Sequence, residues 1–124
     1  MKTLSVIIPV YFNEGSLPPL FAELCSVEEA LRPRGMELEL IFVDDGSCDT
    51  SSIILEAKAK DDPRFRFIRL SRNFGHQIAI TAGMDAASGD AIVVMDADLQ
   101  DPPEVIGEMI ARWKEGYEIV QARR

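Results

Sequence analysis

Short β-branched runs alternate with stretches of helical spacing along the whole chain, and no two runs are joined by a hairpin signal. Strands that cannot pair through a tight turn must be linked by crossovers, which set consecutive strands parallel. The expected architecture is therefore α/β, a mostly parallel sheet with helices on both faces. Residues 4–10 (LSVIIPV), 38–43 (LELIFV), 65–70 (FRFIRL), 91–95 (AIVVM) and 117–121 (YEIVQ) read as five strands. Arg64, Arg66 and Arg69 address both faces of the third, which suits a sheet edge.

The intervening segments carry helical signals. Pro18 and Pro19 suit a first turn, Leu20, Leu24, Val27 and Leu31 follow at helical spacing, and Pro33 with Gly35 ends the element. A second helix is expected over residues 49–60 with Ile53, Ile54 and Ala57 turned inward, and Asp49 is a candidate cap. Residues 75–87 (GHQIAITAGMDAA) make a helix of small residues able to pack closely on a sheet. A last helix opens at Asp101-Pro102-Pro103-Glu104, with Val105, Met109, Ile110 and Trp113 on one face.

At 124 residues the chain is expected to form one domain spanning residues 1–124. No apolar run approaches the roughly 20 residues of a spanning helix, and the apolar stretch near the N-terminus is too short for a signal peptide. A soluble chain is expected. Thirteen Lys+Arg against 21 Asp+Glu give a net charge of −8, which disfavours nucleic acid as a partner. A small anionic ligand on so acidic a protein calls for a bridging divalent metal. Cys25 and Cys48 form no C-x-x-C, so neither a disulfide framework nor a zinc site is expected, and a reducing compartment fits.

In parallel sheets of this kind ligands bind outside the carboxyl ends of the strands. Polar clusters stand there: Tyr11-Phe12-Asn13-Glu14-Gly15, Asp44-Asp45-Gly46-Ser47 and Asp96-Ala97-Asp98-Leu99-Gln100-Asp101 follow strands one, two and four. Asp96 and Asp98, two apart on an extended chain, can address one ion, and Gln100 extends the row. Their hard oxygen donors suit Mg²⁺ or Mn²⁺. Asp101 instead has the spacing of a capping box with Glu104. Asp45 stands open between turn chemistry and a ligand contact. Arg72 precedes a helix N-terminus, a natural anion site, with a solvated arginine as the plain alternative. His76 reads as structural. There is no G-x-G-x-x-G, P-loop or nucleophile elbow.

Val6-Ile-Ile-Pro-Val-Tyr-Phe-Asn-Glu14, Val43-Asp-Asp-Gly-Ser47, Arg72-Asn-Phe-Gly-His-Gln77 and Met95-Asp-Ala-Asp-Leu-Gln-Asp-Pro-Pro-Glu104, taken in order, resemble family 2 glycosyltransferases. The branch they most resemble makes polyprenyl-phosphate sugars, as dolichyl-phosphate mannose synthases and bactoprenol glucosyltransferases do. The resemblance implies a GT-A fold and a nucleotide-sugar donor, with UDP favoured over GDP. It implies inverting transfer of a hexosyl group to a polyprenyl phosphate. Carried over by position, Pro9, Tyr11, Asn13, Glu14, Val43 and Asp45 would line the base and ribose pocket, with Arg72 nearby and Ala97 against the nucleotide. Asp96, Asp98 and Gln100 would hold Mg²⁺ or Mn²⁺ against the diphosphate, Asp98 as the catalytic member.

By the same resemblance, an acceptor-side half and membrane-associated helices would lie outside these 124 residues. The full protein would then sit at the cytoplasmic face of a membrane, and residues 1–124 alone would transfer little. A homo-oligomer is left open. The rival readings are transfer to a saccharide hydroxyl, an inactive nucleotide-binding module, and a phosphoacceptor receiver domain. The last needs an acidic pair after the first strand, an Asp after the third and a Lys after the fifth. This sequence places none of them there.

Overall fold

The structure, a computed structural model, describes residues 2–12, 15, 17–47, 49–95 and 119–121. The chain begins with β1 (Lys2–Val10), α1 (Leu17–Leu31), a 3₁₀ turn over Arg32–Arg34, and β2 (Met36–Asp44). It continues through α2 (Ser51–Asp61), β3 (Phe65–Arg69), α3 (His76–Ala86), β4 (Ala91–Val94) and β5 (Ile119–Gln121). All four strand pairings are parallel, in the spatial order β3-β2-β1-β4-β5. The expected α/β architecture is present. The helix expected after Asp101 lies outside the described residues.

The strand order explains where a ligand can go. The chain steps from β1 to β2 to β3 in one direction, then returns to place β4 on the other side of β1. β1 is thus followed in the chain by a strand on one side and β4 by a strand on the other. The carboxyl ends of these two neighbours therefore form the switch point at which ligands bind in sheets of this kind.

Alternation along the strands assigns each residue a face. Leu4, Val6, Ile8 and Val10 of β1 join Leu38, Leu40 and Phe42 of β2 in a core with Leu17, Leu20, Leu24 and Leu55. That core lies under α1 and α2. Ile7, Ile41, Val43 and Val94 face the other way, against Ala79 and Ile80 of α3. Gly83 allows the close approach of α3 expected from its small residues, since a Cβ there would stand 2.5 Å from Ile7 Cγ2.

Helix α2 departs from the expected facing. Ile53 is 66% exposed and Ala57 is exposed, whereas Leu55, Ser51 and Ser52 are buried. Three consecutive apolar residues, Ile53-Ile54-Leu55, leave the phase of a short helix undetermined, and packing against the β2–β3 end of the sheet selects Leu55.

β3 is an edge strand, as its arginines imply. Arg64 pairs with Glu28 and Asp62, and Arg66 reaches Glu39 and the Ala86 carbonyl. Glu28 is buried on the apolar stripe of α1, where its other oxygen accepts the Leu38 N–H at 3.2 Å. The hydrogen bond from Arg64 holds the Asp62 carboxyl down at about 2.

Candidate functional site at the carboxyl edge of the sheet

Pro9 and Val43 are register partners, both buried and both on the α3 face of the sheet. One step beyond Val43 the alternation separates two neighbouring aspartates. Asp44 keeps the parity of Phe42 and turns toward the α1–α2 side, fully buried. Its Oδ1 accepts the Ser47 N–H at 3.0 Å, and its Oδ2 has no partner among the described residues. Asp45 keeps the parity of Val43 and turns toward α3. The two carboxylates thus lie on opposite sides of the sheet edge and do not form one ion-binding pair.

Asp45 is 4% exposed, and its carboxylate ties two loops together. Oδ1 accepts the Phe74 N–H at 2.8 Å and Oδ2 accepts the Gly75 N–H at 3.2 Å. Those amides lead into α3, so the negative charge sits at a helix N-terminus, where the macrodipole favours it. The anion that this helix end receives is the chain's own Asp45. Gly46, at φ 78°, then brings the backbone hard against the loop between β3 and α3: a Cβ there would fall 2.4 Å from both Arg72 C and Asn73 N. Arg72 is exposed at this point, its guanidinium 4.6 Å above the Phe74 ring.

The loop after β1 is fastened to the same hub. The Asp45 N–H donates to the Val10 carbonyl at 2.8 Å, and the Phe12 N–H donates to Ser47 Oγ at 2.9 Å. Phe12 has φ 54°, in the left-handed region rarely occupied by a bulky side chain. The Tyr11 and Phe12 rings meet edge to face, with centroids 4.5 Å apart. Both are about half exposed, at 49% and 48%. An exposed aromatic ring at the carboxyl edge of the sheet offers a face on which a planar ligand can stack.

Of the residues singled out in the sequence, Pro9, Tyr11, Val43, Asp45 and Arg72 therefore come to one edge. Asn13, Glu14, Asp96, Ala97, Asp98 and Gln100 lie outside the described residues, although Met95, whose N–H donates to the Ile7 carbonyl, brings the chain to this edge one residue before Asp96. Among the described residues no group of three or more His, Cys, Asp or Glu side chains is arranged to hold a metal, and no helix is long and apolar enough to cross a membrane. Sequence reasoning passed over Gly46, Ser47 and Phe12. Asp-Gly-Ser was the available signal, but it reads as ordinary turn chemistry until the loops it touches are known.

The family model described as Glycosyl transferase family 2 matches residues 5–124. An uncharacterized glycosyltransferase of Bacillus subtilis (strain 168), YkcC, is 54% identical over 97% of this chain and 36% of its own length. A bactoprenol glucosyl transferase of Shigella phage SfV is 41% identical over 98% of this chain and 38% of its own length. The chain spans little more than a third of these relatives. Among solved structures, S. aureus TarS in complex with UDP-GlcNAc superposes with a TM-score of 0.71 at 25% identity, covering 93% of this chain and 32% of that one. The sheet and its helices are those of the GT-A fold, and the chain belongs to the family 2 glycosyltransferases.

Proposed function

We propose that this chain is the donor-binding part of a glycosyltransferase that moves a hexosyl group from a nucleotide sugar to a polyprenyl phosphate. The observation that carries the reading is the convergence of Pro9, Tyr11, Val43, Asp45 and Arg72 at the carboxyl edge of the sheet. Pro9 and Val43, buried at the strand ends, would back the pocket, Tyr11 would supply a ring for the base, and Arg72 a positive charge. Asp45 spends one lone pair per oxygen on the Phe74 and Gly75 amides, and a carboxylate has about four such sites. It can therefore still accept from a base or ribose. By the family resemblance Asn13 and Glu14 would complete the pocket, and Ala97 would lie against the nucleotide.

Asp96, Asp98 and Gln100 would hold Mg²⁺ or Mn²⁺, a donor set of hard oxygens that fits those ions. Bound there, the ion would neutralise charge on the departing diphosphate, with Asp98 as the catalytic ligand. The donor favoured is a UDP-sugar, in keeping with the bactoprenol glucosyl transferase relative and the UDP-GlcNAc complex of TarS.

A polyprenyl phosphate has a second pKa of about 6 and is mostly ionised at neutral pH. One of its oxygens can form the new bond to the anomeric carbon as the bond to the nucleoside diphosphate breaks, inverting that centre. Such a nucleophile needs little help from a general base, unlike a sugar hydroxyl. The whole protein would meet its lipid at the cytoplasmic face of a membrane, through segments outside this chain. Incubating the whole protein, with its acceptor-side and membrane segments, with radiolabelled UDP-sugar, Mn²⁺ and polyprenyl phosphate should move label into the solvent-extractable lipid, whereas residues 1–124 alone should move little. Label passing only to saccharide hydroxyls would overturn the acceptor assignment.

A further inference from the structure

We infer that Ser47 is a positioning residue for the donor site, acting through the Tyr11–Phe12 turn. The inference rests on the donor reading above. Left alone, a phenylalanine avoids the left-handed region in which Phe12 is found at φ 54°. A non-glycine residue persists there only when its surroundings over-determine it. One such restraint is present: the Phe12 amide hydrogen is taken by Ser47 Oγ at 2.9 Å.

Ser47 is well placed to impose that conformation because it is itself held. It is 6% exposed, and its own N–H is fixed on Asp44 Oδ1 at 3.0 Å. The preceding residues are clamped as well, Asp45 by the Phe74 and Gly75 amides and Gly46 by its contact with the Arg72–Asn73 backbone. A hydroxyl on this anchored turn therefore sets the backbone of Phe12. Phe12 in turn contacts the Tyr11 ring edge to face, with centroids 4.5 Å apart. The same turn thus links Tyr11, on one side of the pocket, to the Asp45–Arg72 side. Ser47 itself touches no donor atom. It sets the orientation of the ring that does.

The test compares the unsubstituted chain with Ser47→Ala, Ser47→Thr and Phe12→Gly, titrating each with UDP in the presence of Mn²⁺ and following the Phe12 amide by nuclear magnetic resonance. Loss of one positioning hydrogen bond should weaken UDP binding about tenfold in Ser47→Ala. The Phe12 amide should also lose protection from exchange. Ser47→Thr keeps the hydroxyl oxygen and should bind UDP within about twofold of the parent, a rescue that a purely packing role would not give. Glycine adopts φ near 54° unaided, so in the Phe12→Gly background Ser47→Ala should change affinity by less than about twofold.

Unchanged UDP affinity in Ser47→Ala, with lowered thermal stability alone, would overturn the inference and leave the donor reading standing. So would a full tenfold loss in the Phe12→Gly background. No UDP or GDP binding by the unsubstituted chain would remove the donor reading, and this inference with it.

Discussion

Gly46→Ala is expected to destabilise the chain by about 2–4 kcal/mol and to weaken nucleotide binding with it. Two costs combine. A residue with a Cβ at φ 78° pays about 1 kcal/mol for the left-handed conformation. The new methyl would also meet Arg72 C and Asn73 N at 2.4 Å, and these are backbone atoms that cannot rotate away. Forcing an extra carbon into such a contact typically costs about 1–3 kcal/mol more. Gly35→Ala separates the two terms, because Gly35 has φ 79° with nothing within 4 Å of the added Cβ. It should lose only the conformational part, about 1 kcal/mol, and no nucleotide affinity. Equal losses for the two variants, by urea unfolding, would show that the loops are not pressed together at Gly46.

Asp98→Asn should lower Mn²⁺-dependent UDP affinity about a hundredfold, the value of one lost charge-assisted contact. It should leave the melting temperature unchanged or slightly raised, since it removes a negative charge from a chain whose net charge is −8. Asp101→Ala should do the opposite, costing about 1 kcal/mol of stability as a lost helix cap while nucleotide affinity holds. The contrast separates metal ligand from cap within one short acidic run. Calorimetric titration beside thermal unfolding reads both, and a reversed pattern would transfer the metal role from Asp98 to Asp101.

The architecture was legible because the strands are short, β-branched and buried, and because the helices between them forbid hairpins. Arg64, Arg66 and Arg69 marked the edge strand correctly, since arginines on both faces cannot be buried in a central one. Helix α2 departs from its expected facing because Ile53-Ile54-Leu55 fits three helical phases equally, and only the sheet beneath chooses among them. Glu28 passed unnoticed for a similar reason. It sits four residues after Leu24 on the buried stripe, but its partners Arg64 and the Leu38 amide come from distant parts of the chain.

The site was legible in part, and the division has a physical origin. Period-two alternation already distinguishes Asp44 from Asp45, so opposite fates for adjacent aspartates could have been read from the strand alone. What Asp45 grips could not. Its hydrogen bonds to Phe74 and Gly75 span 29 and 30 residues, and no local pattern announces them. The same holds for Ser47 and Phe12, 35 residues apart. Glycine at 46 looked like turn chemistry, yet its close approach to Arg72 is a property of the assembled edge.

The central claim is that this edge binds the donor nucleotide with help from a divalent ion, and titrating the chain with UDP tests it most directly. Run with Mn²⁺ and again with a chelator, the titration should give measurable binding that strengthens with the metal, and GDP in parallel should bind more weakly. Amide shifts should concentrate on Val10–Phe12, Val43–Ser47 and Arg72–Gly75, the three loops joined at Asp45 and Ser47. Affinity indifferent to the chelator would contradict the metal's part. Shifts gathered at the opposite, amino end of the sheet would contradict the site itself.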